Sequence, residues 1–169
     1  MSEPATQPVP EVLRALPPRA GERPQTGPAL PHFQLSDHGD LEQAQHIIDT
    51  IAALPGVTLG RSQVSDPRSV AFHLRLELVG ASRDQAPLGG EFAHVHPFDG
   101  GSQHLVLPQP WGEHLIEKGW AEYHPVAAQL PAPVLFMVYG PRDRAEADHL
   151  IAITKTAYTH VRGLEPGGV

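Results

Sequence analysis

Three histidines, His94, His96 and His104, lie close together in one short stretch of this sequence. His94 and His96 are two residues apart, so both side chains point to the same face if the segment is a β-strand. Clustered imidazoles can bind Zn, Fe, Cu or Ni through neutral nitrogens. Alternatively, one imidazole can act as a general base near neutral pH while the others polarise an oxygen substituent. A third interpretation is that these histidines pack and hydrogen-bond without taking part in chemistry.

The face on which His104 lies depends on the turn that precedes it. The pattern predicts a β-hairpin of residues 91–98 and 102–107, joined by a three-residue loop at residues 99–101 that ends in two glycines. In that register His96 faces His104 directly, and all three imidazoles share one patch. A two-residue turn would shift the register by one residue and send His104 to the opposite face.

Other side chains are candidates for the same site. His124 lies in a segment that approaches the predicted sheet, and we take it as a fourth catalytic residue. Arg142 follows a predicted strand and precedes a helix, so it suits either an enolate or carboxylate clamp or an ordinary salt bridge. Trp120 suits either the core or the wall of a pocket for a planar ligand. The predicted substrate-binding residues are Ser102, Trp120, Tyr139 and Arg142.

The chain has eleven histidines, and the other seven carry weaker arguments. His73 lies on the polar face of a predicted strand, where exposure to solvent is expected. The helical histidines are expected to face water: His46, His114, His149 and His160. The remaining two, His32 and His38, carry no argument.

Two long helices and one short helix are predicted around these strands. Apolar residues recur at helical spacing over residues 41–54, and Asp40 can cap the start of that helix. The second long helix is predicted to begin after Asp143, which has a glutamate three residues further on, and to end at Gly163. A short helix is predicted over residues 111–118.

The strands are predicted from alternation and from short apolar runs. Alternating apolar residues over 70–79 predict a half-buried strand, residues 57–60 and 120–124 have the pattern of shorter ones, and the apolar run 134–139 predicts a further strand. Strands grouped together with helices set aside are typical of an α+β fold. We therefore predict a mainly antiparallel β-sheet covered by two long helices and one short helix.

The domain organisation follows from the distribution of proline. Eight of the nineteen prolines fall within residues 1–31, where apolar residues are too sparse to offset the entropy of ordering. We therefore expect residues 1–31 to be a disordered proline-rich tail and residues 32–169 to form one α+β domain.

Composition excludes several classes of protein. The chain has 169 residues, no cysteine and a formal net charge of −7. The absence of cysteine excludes disulfide scaffolds, thiolate metal sites and cysteine nucleophiles. The negative charge argues against a nucleic-acid or anionic-membrane partner, and no apolar run approaches the roughly 20 residues that span a bilayer. We expect a soluble cytoplasmic protein whose partner is a small-molecule substrate.

Five short motifs follow one another through the second half of the chain. They are Ala93-His94-Val95-His96, Ser102-Gln103-His104-Leu105-Val106-Leu107, Lys118-Gly119-Trp120, His124-Pro125 and Tyr139-Gly140-Pro141-Arg142. In order and spacing these motifs resemble those of the fungal luciferase family. The resemblance covers roughly residues 90–163 and does not extend to the N-terminal segment, which is polar where luciferases of that family have an apolar membrane anchor.

The resemblance implies oxygen chemistry on a planar, enolisable aromatic substrate, a hydroxy-α-pyrone of the 3-hydroxyhispidin type. In that reaction O2 is the co-substrate, no organic cofactor is expected, and light emission is left open. A base must deprotonate the enol so that the resulting anion can reduce O2. The resemblance assigns this role to His94, His96, His104 and His124. A metal ion stays open as an alternative, with the first three of these histidines as its ligands.

Two other functions compete with this hypothesis. One is a metal-dependent hydrolase or oxygenase built on His94, His96 and His104. The other is a non-catalytic small-ligand binding or interaction module, in which the histidine cluster is structural.

Overall fold

One antiparallel sheet forms the centre of the structure. The computed structural model describes residues 7–80, 86, 88–130, 134–167 and 169. Within these residues the sheet has six strands, and every neighbouring pair is antiparallel. In spatial order they are β1 (Val57–Arg61), β2 (Val70–Leu74), β3 (Glu91–His96), β4 (Ser102–Val106), β6 (Leu135–Val138) and β5 (Ala121–Tyr123).

Three of the four α-helices in the described residues agree with the expected pattern, and the first along the chain lies in the segment for which disorder was predicted. The four helices are α1 (Glu11–Arg14), α2 (Leu41–Ala52), α3 (Gln109–Glu117) and α4 (Arg144–Arg162). Helix α4 begins as predicted, because the Asp143 carboxylate accepts a hydrogen bond from the Glu146 backbone N–H at 2.9 Å. The predicted cap of α2 is wrong, since the side chain of Asp40 makes no capping hydrogen bond. The α+β fold is confirmed, and none of the helices in the described ranges is both long and apolar enough to cross a bilayer.

The two faces of the sheet are covered by different parts of the chain. One face carries apolar side chains such as Phe92, Leu105 and Phe136, which pack into the core beneath α2 and α4. Burying a side chain of this size stabilises the fold by about 1.5–3 kcal/mol. The other face is polar, and residues 26–36 and 62–69 cover it through hydrogen bonds to β3 and β4. Most of the apolar core therefore lies between the sheet and the helices. The opposite face carries polar side chains under the two covering segments.

The N-terminal segment is ordered where disorder was expected. Residues 1–6 of the predicted tail lie outside the described residues, but residues 7–23 contact the helical layer, and residues 26–31 begin the segment that covers the polar face. Leu13 is fully buried and Leu16 is 5% exposed, and both join the hydrophobic core. The prediction of a disordered tail is therefore wrong over this range.

Backbone carbonyls explain how this proline-rich segment is held. The carbonyls of Pro8 and Pro17 accept hydrogen bonds from the indole N–H groups of Trp111 and Trp120, at 3.0 and 2.8 Å. Proline has no N–H to satisfy but keeps its acceptor, and it also lowers the entropy that the unfolded chain loses on folding. Such a segment can be ordered by few apolar anchors.

The hairpin has a longer loop than predicted. Strand β3 ends at His96, residues 97–101 form the loop, and His94 pairs directly with His104. The predicted pairing of His96 with His104 is wrong because Pro97 has no N–H to donate to the ladder and opens a 3₁₀ turn instead. The register differs by two residues, so His104 keeps the expected face.

Strand β2 is shorter than the alternation over residues 70–79 predicts. It ends at Leu74, and Leu76 in the following 3₁₀ turn is 73% exposed. The neighbouring strand β1 begins at Val57, which pairs with Leu74, so no strand partner continues beyond that point.

Candidate functional site

Five buried histidines meet on the polar face of the sheet. This histidine cluster consists of His94 and His96 on β3, His104 on β4, His124 just after β5, and His32 on the N-terminal segment. Each is no more than 7% exposed. The ring centroid of His104 lies 4.4–5.2 Å from those of the other four. His104 is therefore the centre of the cluster.

Strand geometry places three of these residues. Alternation along β3 puts His94 and His96 on one face, and the β3–β4 pairing places His104 opposite His94. His124 is held at the end of β5, where its Nδ1 accepts a hydrogen bond from the Val126 backbone N–H at 3.2 Å. The ring of His124 therefore carries its proton on Nε2 when neutral and presents a donor there.

Three histidines of the cluster form a hydrogen-bonded chain between two carboxylates. Glu91 Oε1 lies 2.9 Å from His94 Nδ1, and His94 Nε2 lies 3.0 Å from His104 Nδ1. His104 Nε2 lies 3.1 Å from His32 Nδ1, and His32 Nε2 lies 2.8 Å from Glu122 Oε1. We call this series the imidazole chain, and it connects residues that are far apart in the sequence.

The remaining histidine of the hairpin has its own polar partners. His96 Nδ1 lies 2.9 Å from Ser102 Oγ, and the Ser102 hydroxyl donates a short hydrogen bond to Asp99. The Asp99 carboxylate also accepts backbone N–H groups of Gln34, Gly101 and Ser102. Burial raises the pKa of Asp99, whereas these hydrogen bonds act against burial and favour the carboxylate form. His96 therefore donates from Nδ1, and the lone pair on its Nε2 faces the Ser65 hydroxyl, whose Oγ lies 3.3 Å away.

Burial keeps most of the cluster neutral. It lowers the pKa of His96 to about 2, with a further contribution from the charges of His94 and His32. It lowers the pKa of His124 to about 4 and that of His104 well below its ordinary value, and neighbouring histidines add to both effects. Neutral imidazole is the form that binds metals or accepts protons.

The two carboxylates at the ends of the imidazole chain are ionised. Burial opposes the charge of Glu91, but hydrogen bonds from His94, the Gln63 backbone and Ser62 outweigh it and lower the pKa of Glu91. Burial likewise opposes the charge of Glu122, but hydrogen bonds, first among them that of His32, lower its pKa. The imidazole chain therefore runs between two negative charges.

Because its buried histidines are neutral, the metal-free protein is expected to lose stability as the pH falls from about 6.5 towards 4. The pKa of His124 is lowered from 6.5 to about 4, so the unfolded chain takes up a proton that the folded chain excludes. Its contribution is fully present above pH 6.5 and is lost as the pH falls, by about 3 kcal/mol at most. Urea unfolding in the presence of a chelator, at several pH values across this window, measures the slope. An unchanged slope in the His124→Gln variant would contradict this assignment.

A cavity of about 320 Å³ opens onto the cluster. Three cluster histidines contribute to its wall, together with residues of the two covering segments. The lining residues are Leu30, Pro31, His32, Phe33, Val64, Ser65, Asp66, His104 and His124. A larger cavity, of about 510 Å³, lies between the N-terminal segment and the end of α4, and no member of the cluster lines it.

Two of the predicted substrate-binding residues take part in the polar network. Ser102 bridges His96 and Asp99, as described above. The Tyr139 hydroxyl donates to Glu122 at 2.9 Å, and so connects to the end of the imidazole chain. Whether any of the predicted site residues contacts a substrate stays a prediction.

The other two predicted substrate-binding residues have structural contacts instead. Trp120 is 1% exposed and packs in the apolar core, with the His149 ring 5.5 Å away. The Arg142 guanidinium forms an ion pair with Glu146 and lies near Asp37. Trp120 therefore has a core position and Arg142 a local ion pair, and contact of either side chain with a substrate stays a prediction.

Sequence reasoning missed His32 and the carboxylates. Glu91 lies three residues before His94, and Asp99 three residues before Ser102, so local spacing was a usable signal for both. No local signal pointed to His32, which lies in the covering segment 26–36 and is 72 residues from His104.

The helical histidines are also less exposed than expected. His46, His114, His149 and His160 are half-buried. His160 packs its ring 5.6 Å from Trp111, and His46 Nε2 lies 3.0 Å from an Asp148 oxygen. Their imidazoles fill space at the edges of the helical layer.

The chain is similar in sequence to known proteins. Residues 89–157 match the family named Luciferase domain. The chain is 26% identical over 135 residues to a luciferase of Armillaria gallica, covering 78% of this chain and 45% of that protein. It is 27% identical over 164 residues to a luciferase of Armillaria mellea (79% and 56%), and 35% identical over 60 residues to one of Neonothopanus nambi (34% and 22%).

The extent of these similarities matters for the site. The chain spans about half the length of the curated relatives it matches. The matched residues 89–157 contain His94, His96, His104 and His124, whereas His32 lies outside them. No solved structure matches the chain.

Proposed function

Because this chain is a relative of the fungal luciferases, we propose that it oxygenates a planar, enolisable aromatic compound with O2 in the cavity over the histidine cluster. The substrate class is a hydroxy-α-pyrone of the 3-hydroxyhispidin type, and the reaction uses no organic cofactor. The observation that carries this proposal is the arrangement of five buried histidines, three of which line one cavity.

The cavity has the size and walls that a planar ligand needs. Small-molecule sites begin at about 300 Å³, and this one has about 320 Å³. Phe33 lines it, with its ring centroid 5.2 Å from that of His96 and 4.9 Å from that of Phe98 in edge-to-face contacts. Aromatic walls of this kind suit a conjugated pyrone.

The imidazole chain can accept the proton of an enol. It has four hydrogen-bond contacts, but three neutral imidazoles supply only three N–H groups. A fourth proton completes the chain, and the carboxylates of Glu91 and Glu122 stabilise the positive charge that it brings. The whole chain, rather than an isolated imidazole, thus serves as the base.

The remaining groups favour reaction of the enolate with O2. His124 presents its Nε2–H as a donor for an oxygen anion or a peroxide. The three histidines in the cavity wall are buried, and water-poor surroundings strengthen such hydrogen bonds. In a luciferase-type reaction the peroxide then loses CO2, and the product can be left in an excited state.

Incubation of the purified protein with 3-hydroxyhispidin is expected to consume O2 and change the pyrone absorbance, and light emission is recorded in the same sample. A protein-free reaction measures spontaneous oxidation of the pyrone. If none of the three signals exceeds that control, the proposal fails for this substrate. Saturable binding of the pyrone without consumption of O2 would instead support a non-catalytic binding module.

A further inference from the structure

Three histidines of the cluster direct ring nitrogens towards one another. One ring nitrogen each of His94, His96 and His104 lies within 4.8 Å of the other two. All three side chains are at most 3% exposed. Nitrogens this close are bridged by hydrogen bonds or by a cation. The hydrogen-bond partners of each ring show which nitrogen holds the proton and which has the lone pair, and so which kind of bridge fits.

Two of these nitrogens carry lone pairs. The Nδ1–H of His94 donates to the ionised Glu91, which leaves the lone pair on Nε2. The Nδ1–H of His96 donates to Ser102, whose own hydroxyl proton goes to Asp99, and this again leaves the lone pair on Nε2. In the metal-free protein that lone pair faces Ser65 Oγ at 3.3 Å, a contact that a bound ion would replace. His94 is therefore oriented by a carboxylate and His96 by a hydroxyl that is itself bonded to a carboxylate, as the second ring nitrogen of a metal-ligating histidine usually has a hydrogen-bond partner.

The protonation of the third nitrogen, that of His104, is set by Glu122 at the other end of the imidazole chain. Glu122 is an acceptor, so His32 donates to it from Nε2 and accepts at Nδ1. His104 then donates from Nε2 to His32, and its own Nδ1 carries a lone pair directed at His94 Nε2, 3.0 Å away. Two lone pairs face each other here unless a positive charge lies between them.

We propose that His94, His96 and His104 bind a divalent first-row transition metal ion, through Nε2, Nε2 and Nδ1 respectively. Bound in this way, every ring is neutral, every N–H has an acceptor, and every carboxylate is ionised. An all-imidazole site favours ions such as Zn²⁺, Co²⁺, Ni²⁺ or Cu²⁺ over Mg²⁺ and Ca²⁺, which prefer oxygen ligands. With three protein ligands, the ion keeps a position for an exogenous ligand.

A second group of three histidines is less suitable. One ring nitrogen each of His32, His104 and His124 also comes within 4.8 Å of the others. However, His124 Nδ1 accepts a hydrogen bond from Val126, so its Nε2 holds the proton. His32 is likewise engaged on both sides, by His104 and Glu122. We therefore assign the ion to the hairpin histidines.

This inference goes beyond the proposed oxygenation and does not depend on it. The ion would take the place of the fourth proton, which in the metal-free chain lies between His94 Nε2 and His104 Nδ1. Either the ion or the proton places a positive charge beside the cavity. Metal binding is measured without substrate, and oxygenation is measured in chelator, so that the failure of one is distinguishable from the failure of the other.

The test is a Co²⁺ titration of the full chain, purified without a polyhistidine tag and stripped with chelator. We expect saturable visible absorption bands at one equivalent, their loss on addition of Zn²⁺, and a Tm raised by about 5–10 °C when Zn²⁺ exceeds its Kd about 100-fold. No saturable bands and no change in Tm would overturn the proposal.

Variants locate the site. His96→Gln removes a ligand and is expected to weaken Co²⁺ binding at least about 100-fold, more than the roughly 10–100-fold expected for Glu91→Gln, which removes an orienting carboxylate. His46→Gln, on the far side of the sheet, is the matched control and is expected to bind Co²⁺ like the wild type. If His96→Gln and Glu91→Gln both retain wild-type affinity, or if the control weakens equally, the assignment is wrong.

Discussion

Replacing His104 with glutamine is expected to reduce the rate of O2 consumption with 3-hydroxyhispidin at least about 100-fold. His104 lines the cavity, and its two ring nitrogens connect His94 to His32. Glutamine cannot pass a proton along this chain, because its amide neither gains nor loses a proton near neutral pH. The measurement is the initial rate of O2 uptake at saturating pyrone, with the protein held in chelator.

A control variant separates loss of chemistry from loss of folding. His46→Gln changes an imidazole on α2 that contacts Asp148, away from the cluster, and is expected to retain the wild-type rate. The Tm of His104→Gln, measured in parallel, shows whether the variant is folded at the assay temperature. A folded His104→Gln protein with the wild-type rate would refute the catalytic role of the imidazole chain.

Truncating Leu13 to alanine is expected to lower the free energy of unfolding by about 2–5 kcal/mol. Leu13 is fully buried against the helical layer, although it belongs to a segment whose composition predicts disorder. The loss combines the transfer free energy of the deleted atoms with the cavity left behind. A loss of this size is a large fraction of the stability of an ordinary domain. Urea unfolding at neutral pH measures it.

Leu35→Ala is the matched control for this prediction. Leu35 lies in the same N-terminal part of the chain but is 58% exposed, so its truncation is expected to change the free energy of unfolding by less than about 0.5 kcal/mol. Equal and small effects of the two substitutions would show that the N-terminal segment contributes nothing to the fold.

Assembly of the cluster makes the N-terminal segment part of the site as well as part of the fold. His32 supplies the link between His104 and Glu122, and Phe33 supplies an aromatic wall of the cavity. A chain lacking these residues would leave Glu122 without its imidazole partner. Leu30 and Pro31, which belong to the segment for which disorder was predicted, also line the cavity, and His32 and Phe33 directly follow that segment.

The sequence by itself determined the elements and the face on which the hairpin histidines lie. The period of two along a strand places His94 and His96 together whatever the loop does. The predicted face of His104 is correct although the predicted loop is too short, because the pairing register differs by two residues, an even number. Helix periodicity and the cap at Asp143 also depend on neighbouring residues, and both predictions are confirmed, whereas the equally local cap at Asp40 is not formed.

Tertiary structure alone decided which distant groups complete the site. His32 and His104 are 72 residues apart, and His32 and Glu122 are 90 apart, so no local period relates them. The contacts of Trp120 and Arg142 were likewise decided by the tertiary structure. Both residue types suit a ligand, but Trp120 packs in the core and Arg142 pairs with Glu146. Local patterns report the conformation of a segment, because backbone sterics and side-chain burial act over a few residues. The partner of a buried polar group is set instead by how whole segments pack, since each such group must find its hydrogen bond within the folded protein.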